Sequence, residues 1–208
     1  MPPIFKIDLK KKTEQPEPVI IELGSGEKKR PGRICIDKME MPHVDIVADL
    51  EEGLPFFPDN SVDEIHSKSF LEHIDNFEFL MKEIWRVLKP DGRKFLYVPH
   101  FSNPYYYSDY THKRFFGLYT FEYFSNHQDR FKRKVPSFYQ EFGFITEDIT
   151  IVFTSPWKGR KLVKRMFQSF FNLNTWLMEF YEENLCYLIP CYALQVTLRP
   201  AKQLSKEP

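Results

Sequence analysis

The chain has 208 residues but only three cysteines, Cys35, Cys186 and Cys191. An odd, widely spaced trio excludes a disulfide framework and shows no zinc-ligand spacing, so a reducing compartment is expected, the cytoplasm. No run of about 18 apolar residues occurs, and nothing is expected to span a bilayer. The opening MPPIFKIDLKKK lacks the apolar core of a secretory signal. Excess charge of one sign is also missing, since 29 Lys and Arg balance 29 Asp and Glu. That balance argues against a protein held to nucleic acid mainly by counterion release. The balance is uneven along the chain, however. Residues 1–104 carry 15 basic and 19 acidic side chains, and residues 105–208 carry 14 and 10.

Aromatic residues are plentiful, with 21 Phe and 11 Tyr. Short apolar runs recur through the first half: Val19–Ile21, Arg33–Asp37, Val44–Asp49 and Val62–Ser67. Phe77, Leu80, Met81, Ile84, Val87 and Leu88 then follow helical spacing, with Asp75 or Asn76 as cap and Lys89–Gly92 as stop. Lys94–Val98 reads as the next strand. Gln140–Gly143 reads as a helix ending at glycine, and Ile145–Thr154 and Cys191–Leu198 as two late strands.

Strands alternating with loops and helices predict a parallel α/β sheet, whose ligands bind at the carboxyl ends of the strands. Gly24–Gly26, Asp37, Asp49 and Ser67 all fall at such ends. Gly24 and Gly26 have no Cβ, so the backbone there can approach a ligand closely. Only Glu27–Gly32 and Lys38–His43 separate the first three strands. A crossover with its helix needs about 10–12 residues, so the first helices are expected to be short or missing. One face of the sheet should then be thinly covered.

The ordered set Ile20-Ile21-Glu22-Leu23-Gly24-Ser25-Gly26, Cys35-Ile36-Asp37, Ala48-Asp49-Leu50, Phe70-Leu71-Glu72-His73 and Trp85–Gly92 resembles the class I S-adenosylmethionine-dependent methyltransferases, in a type 11-like bacterial subgroup. The resemblance implies a Rossmann-like methyltransferase sheet, mostly parallel with an antiparallel last strand, and a helical insertion before that strand. It implies S-adenosyl-L-methionine as cofactor. Gly24, Ser25 and Gly26 would meet its methionine end, with Glu22 supporting their loop. Asp37 would accept from the ribose hydroxyls, Asp49 and Leu50 would border the adenine, and Ser67 would face the methionine portion. One domain is expected over 1–208, with a leader (1–15), a cofactor-binding half (16–100), a substrate loop or cap (101–140) and the insertion (156–190).

Methyl transfer needs alignment of nucleophile, carbon and leaving sulfur, and an oxygen nucleophile also needs a base. The stretch from Pro99 to Phe116 follows the fifth strand and is a poor core segment. It resembles the subgroup's P-H-F-S and D-P-T-H elements, with Tyr110 in place of the proline. His100, Asp109 and His112 are the candidate catalytic residues, with either histidine as base. The same three as metal ligands lack a fourth partner, and no metal is expected. A loop in which His112 caps and Asp109 pairs with Lys113 or Arg114 is the structural alternative. His66 and His73 read as loop or helix-start residues, and Cys186 and Cys191 as packed thiols.

The acceptor is expected to be a hydroxylated small molecule or glycan, methylated on oxygen. Transfer to RNA through Arg130–Lys134 and Lys158–Arg165, and a noncatalytic cofactor-binding scaffold, are the competing functions. In the insertion, Lys158, Arg160, Lys161, Lys164 and Arg165 precede a stripe of Val163, Met166, Phe167, Phe170, Leu173, Trp176, Leu177, Phe180 and Tyr181 at spacings of three or four. That stripe predicts core docking, a homodimer seam or contact with an anionic membrane surface, the acids Glu179, Glu182 and Glu183 counting against the last.

Overall fold

The computed structural model describes residues 2–28, 30–125 and 127–202. Among the described residues eight strands form a single sheet: β1 (Ile4–Phe5), β2 (Ile20–Leu23), β3 (Ile34–Asp37), β4 (Ile46–Val47), β5 (Val62–Lys68), β6 (Leu88–Pro99), β7 (Phe144–Val152) and β8 (Ala193–Pro200). Their order across the sheet is β1-β4-β3-β2-β5-β6-β8-β7. The strands β4, β3, β2, β5 and β6 run parallel. Strand β8 lies antiparallel to both β6 and β7, as expected of the last strand. The residues read as a leader supply β1, antiparallel to β4, and the short helix α1 (Leu9–Thr13).

The sheet's two faces differ in chemistry. On one, Ile21, Leu23, Ile65, Leu96, Val98, Val196 and Ile149 are almost wholly buried and join one continuous core. Helix α2 (Phe77–Val87) adds Leu80, Met81, Ile84 and Val87 to it, the spacing of one helical face. The other face carries Glu22, His66 and Phe95 in register across β2, β5 and β6, beside Tyr97 and Gln195. The described residues between β2 and β3, and between β3 and β4, contain no helix, so this face stays partly open. Lys29, in the first of those connections, lies outside the described residues.

Three local expectations need correction. Lys89–Gly92 does not separate a helix from a strand: β6 starts at Leu88, directly after α2, and irregular pairing with β5 absorbs the turn residues. Gln140–Gly143 is not helical; Phe142 is drawn into the core against Phe124, Phe144 and Trp85. Neither Asp75 nor Asn76 caps α2 with its side chain. The Glu51 carboxylate does so from outside, accepting from both Asp75 N and Asn76 N at 2.7 Å.

The insertion is helical as expected, with α3 (Lys158–Phe171) and α4 (Thr175–Asn184) between β7 and β8. Asn172 fixes it to the sheet: its side chain accepts from Ile151 N and donates to Ile151 O.

Candidate active site

A cavity of about 810 Å³ opens at the carboxyl ends of β2, β3 and β4. Gly24 and Gly26 form one wall, Asp37 and Lys38 a second, and Ala48, Asp49 and Leu50 a third. Phe70, His73 and Ile74 come from the segment after β5, and Tyr110, Thr111 and Lys113 from the loop after β6. The volume lies within the range of small-molecule sites, about 300–1,000 Å³.

The glycine loop is held without a following helix. Gly24 N and Ser25 N both donate to Ile36 O. Gly26 N donates to Asp37 Oδ2 at 2.9 Å, and Met39 N to Asp37 Oδ1 at 2.9 Å. A carboxylate offers about four acceptor positions, so one remains on each Asp37 oxygen for a ligand. Gly24 has a φ of +64°, and a Cβ there would stand 2.3 Å from the Phe70 ring. Asp49 accepts from Glu51 N and caps the turn Leu50–Glu52, which presents Leu50 as apolar wall.

Not every expected residue reaches this cavity. Ser67 does not: it pairs with Leu23 and Leu96, so its side chain shares their core-facing side and accepts from Lys94 Nζ at 2.6 Å. Ser69, two residues on, has a φ of +49° and lines the cavity instead. Glu22 lies behind the loop, where its nearly buried carboxylate pairs with Arg30 and Arg33. Ser25 is buried, and its Oγ has no partner among the described residues.

None of the three candidate catalytic residues lines the cavity. His100 is wholly buried and does not line the cavity. Its Nδ1 stands 2.8 Å from Ser102 Oγ and its Nε2 3.1 Å from Glu182 Oε2. Both ring nitrogens are therefore occupied within the fold, far from the role of a base expected for it. Asp109 and His112 do not line the cavity either; they meet each other on the loop that supplies Tyr110 and Thr111, His112 Nε2 3.5 Å from Asp109 Oδ2. His112 donates from Nδ1 to Tyr106 O at 2.9 Å, the direction a carbonyl acceptor requires.

His73, read from sequence as a helix-start residue, belongs to this cluster. Thr111 Oγ1 lies 2.6 Å from Asp109 Oδ1 and 2.9 Å from His73 Nδ1. An ionised carboxylate only accepts, so the threonine proton points to Asp109 and Thr111 accepts from His73 Nδ1–H. His73 Nε2 is left with its lone pair. Burial and the neighbouring His112 hold the His73 ring below the ordinary histidine pKa, which keeps it neutral. The hydrogen bonds from Thr111 hold Asp109 below the ordinary carboxylate range. Glu72 is buried with Oε2 unpartnered among the described residues, and desolvation lifts its carboxyl to about 7. Ligand atoms of Glu72, His73 and His112 lie within 4.8 Å of one another, the group of described residues best arranged to hold a metal ion. The sequence signals available for His73 were its place in the Phe70-Leu71-Glu72-His73 element and its position just after β5.

Residues 27–96 match the sequence model of the methyltransferase domain family, a stretch that begins just after the glycine loop and ends within β6. No curated protein sequence matches the chain. Among solved structures, an S-adenosylmethionine-dependent methyltransferase from Archaeoglobus fulgidus aligns at a TM-score of 0.54. It is 16% identical, over 92% of this chain and 90% of that one. A type 11 methyltransferase from Sulfolobus solfataricus, itself assigned only provisionally, aligns at 0.46 with 18% identity over 91% and 87% of the two chains. The YcgJ protein of Bacillus subtilis aligns at 0.48 with 17% identity over 92% and 95%. The Archaeoglobus alignment supports the fold, and the family match falls on the segment that carries Asp37, Asp49 and His73. Residues 27–96 thus resemble the methyltransferase domain family, and the chain shares the fold of an S-adenosylmethionine-dependent methyltransferase.

Proposed function

We propose that this protein methylates a hydroxyl oxygen of a small molecule or glycan, with His73 as the base that takes the hydroxyl proton. The observation that carries this reading is the directed chain Asp109–Thr111–His73, which ends on an imidazole that lines the cavity. Asp109 fixes the threonine proton, Thr111 fixes the tautomer of His73, and His112 packs against the His73 ring with centroids 4.9 Å apart. Asp109 and His112 are positioning residues in this scheme, and the proton moves from the acceptor hydroxyl to His73 Nε2.

The residues present fit the cofactor. The Gly24–Gly26 loop would receive its methionine end, Asp37 its ribose, and Ala48, Asp49, Leu50 and Ile74 its adenine. When bound, the cofactor supplies an already activated methyl group. The protein's task is then to align the acceptor, exclude water and remove one proton. Tyr110, Thr111 and Lys113 close the cavity from the loop after β6 and supply the wall nearest an acceptor.

The test uses labelled S-adenosylmethionine and a panel of monosaccharide and phenolic hydroxyl acceptors beside amine acceptors. His73→Gln should bind S-adenosylhomocysteine as the parent does and lose about 100-fold or more in turnover. Asp109→Asn should shift the acid limb of the pH–rate profile as well as lower the rate. Full activity in His73→Gln would overturn the assignment of the base, and transfer only to amine acceptors would overturn oxygen as the methylated atom.

A further inference from the structure

Helix α3 has three faces where a helix docked on a core needs two. Lys164, Phe167, Gln168 and Phe171 turn inward: Gln168 accepts from Phe153 N, and the rings of Phe167 and Phe171 pack on Phe153. Leu162, Met166 and Phe170 stand four residues apart on the opposite side, with Val163 beside them. Leu173 and Trp176 continue this apolar surface into α4, and Trp157 precedes it. All seven are half exposed or more. The third face, spaced three and four apart, is Lys158, Lys161 and Arg165. None of these three has an ion-pair partner among the described residues.

We propose that the outer face of α3, with Leu173 and Trp176, docks this protein onto an anionic lipid surface. The argument is complementarity. No acidic residue occurs between Asp148 and Glu179, while five cations do, so the apolar strip is flanked by positive charge alone. A helix with one such strip, a basic flank and tryptophans at its borders lies in the plane of a bilayer, its apolar side chains below the headgroups. No helix of the described residues is long and apolar enough to cross a membrane, so contact would be peripheral.

The acids that counted against this reading are turned elsewhere. Glu179 accepts from Tyr119 OH, Lys132 N and Arg133 N. Glu182 accepts from Leu118 N and pairs with His100. Only Glu183 remains exposed. A second copy of the chain is the poorer occupant. A two-fold seam sets each patch against itself, and Lys158, Lys161 and Arg165 would face their own copies with no acid between them.

The inference does not rest on the methylation chemistry, and its test does not use it. The intact chain is sedimented with vesicles of phosphatidylcholine alone or mixed with phosphatidylglycerol, at low and at high salt. Binding is expected only to the anionic vesicles, weakening about tenfold or more at high salt, with a blue shift of tryptophan emission. The double variant Met166→Asp/Phe170→Asp alters exposed positions only; it should melt like the parent and lose about tenfold or more of the binding. Lys158→Gln/Lys161→Gln/Arg165→Gln should lose the preference for anionic lipid. Failure to sediment with anionic vesicles at low salt would overturn the proposal. So would undiminished binding by Met166→Asp/Phe170→Asp, or a dimer in light scattering that Phe170→Asp dissolves.

Discussion

His100 Nε2 stands 3.1 Å from Glu182 Oε2, joining two residues 82 positions apart. The same carboxylate oxygen accepts from Leu118 N at 2.7 Å, so one side chain ties together the end of β6, the loop that follows and α4. The imidazole is wholly buried between this partner and Ser102. His100→Ala strands a nearly buried carboxylate and should cost about 2–4 kcal/mol of stability in urea unfolding. Glu182→Gln keeps an acceptor for Leu118 N and should cost less, and S-adenosylhomocysteine affinity should barely change in either. A stable but inactive His100→Ala protein would restore His100 as a candidate base.

The Asp37 side chain both orders the glycine loop and faces the cavity. Asp37→Ala should weaken cofactor binding about tenfold or more, through lost charge-assisted bonds to ligand and a slack loop. Calorimetry with S-adenosylhomocysteine in the presence of a chelator measures this. The parent should bind equally well with and without the chelator, because the Gly24, Asp37 and Leu50 walls contain none of the three possible metal ligands.

Gly24→Ala tests the loop from the opposite direction. The new methyl group meets the Phe70 ring and the backbone holds a left-handed conformation that alanine disfavours by about 1 kcal/mol or more. Cofactor affinity should fall about tenfold or more. Adding Phe70→Ala should recover only part of the loss, since the ring contact is relieved and the backbone strain is not.

Lys94 gives a pH prediction. Its ammonium is wholly buried, and desolvation lowers its pKa to about 7, against a smaller opposing pull from the Glu22 carboxylate. The unfolded chain binds this proton up to about pH 10, so between about 7 and 10 it holds more protons than the fold. Stability from this group therefore rises with pH across that window and is lost as pH falls through 7. Lys94→Met should raise the melting temperature at pH 6 and flatten its rise toward pH 9.

Strands β2 to β5 were legible because each is a short apolar run followed by a polar residue or glycine. Asp37 and Asp49 were legible for the same reason. The side of the strand on which a residue falls was harder to read. Ser67 and Ser69 differ by two positions, and only the irregular turn with positive φ at Ser69 decides which one reaches the cavity. His100 looked catalytic because its neighbours are polar, yet its partner is Glu182, far along the chain. His73 looked structural because Thr111 and Asp109, which give it a direction, arrive from a different loop. Long-range pairing of this kind leaves no local trace. The insertion showed the reverse: its stripe was plain in the sequence, but only exposure separated Phe167, turned inward, from Met166, turned out.

Strand β1 pairs with β4 through two residues, with Lys6 N donating to Asp45 O just beyond. It occupies the open margin of the parallel sheet, where unpaired amides would otherwise invite a strand from another molecule. Pro2 and Pro3 precede it and carry no amide hydrogen, so the new margin is short and poor in donors. The few residues before Lys6 thus act as a seam binding. Without them, the strand that carries the Ala48–Leu50 wall would become the border, and self-association through it would compete with an ordered cavity.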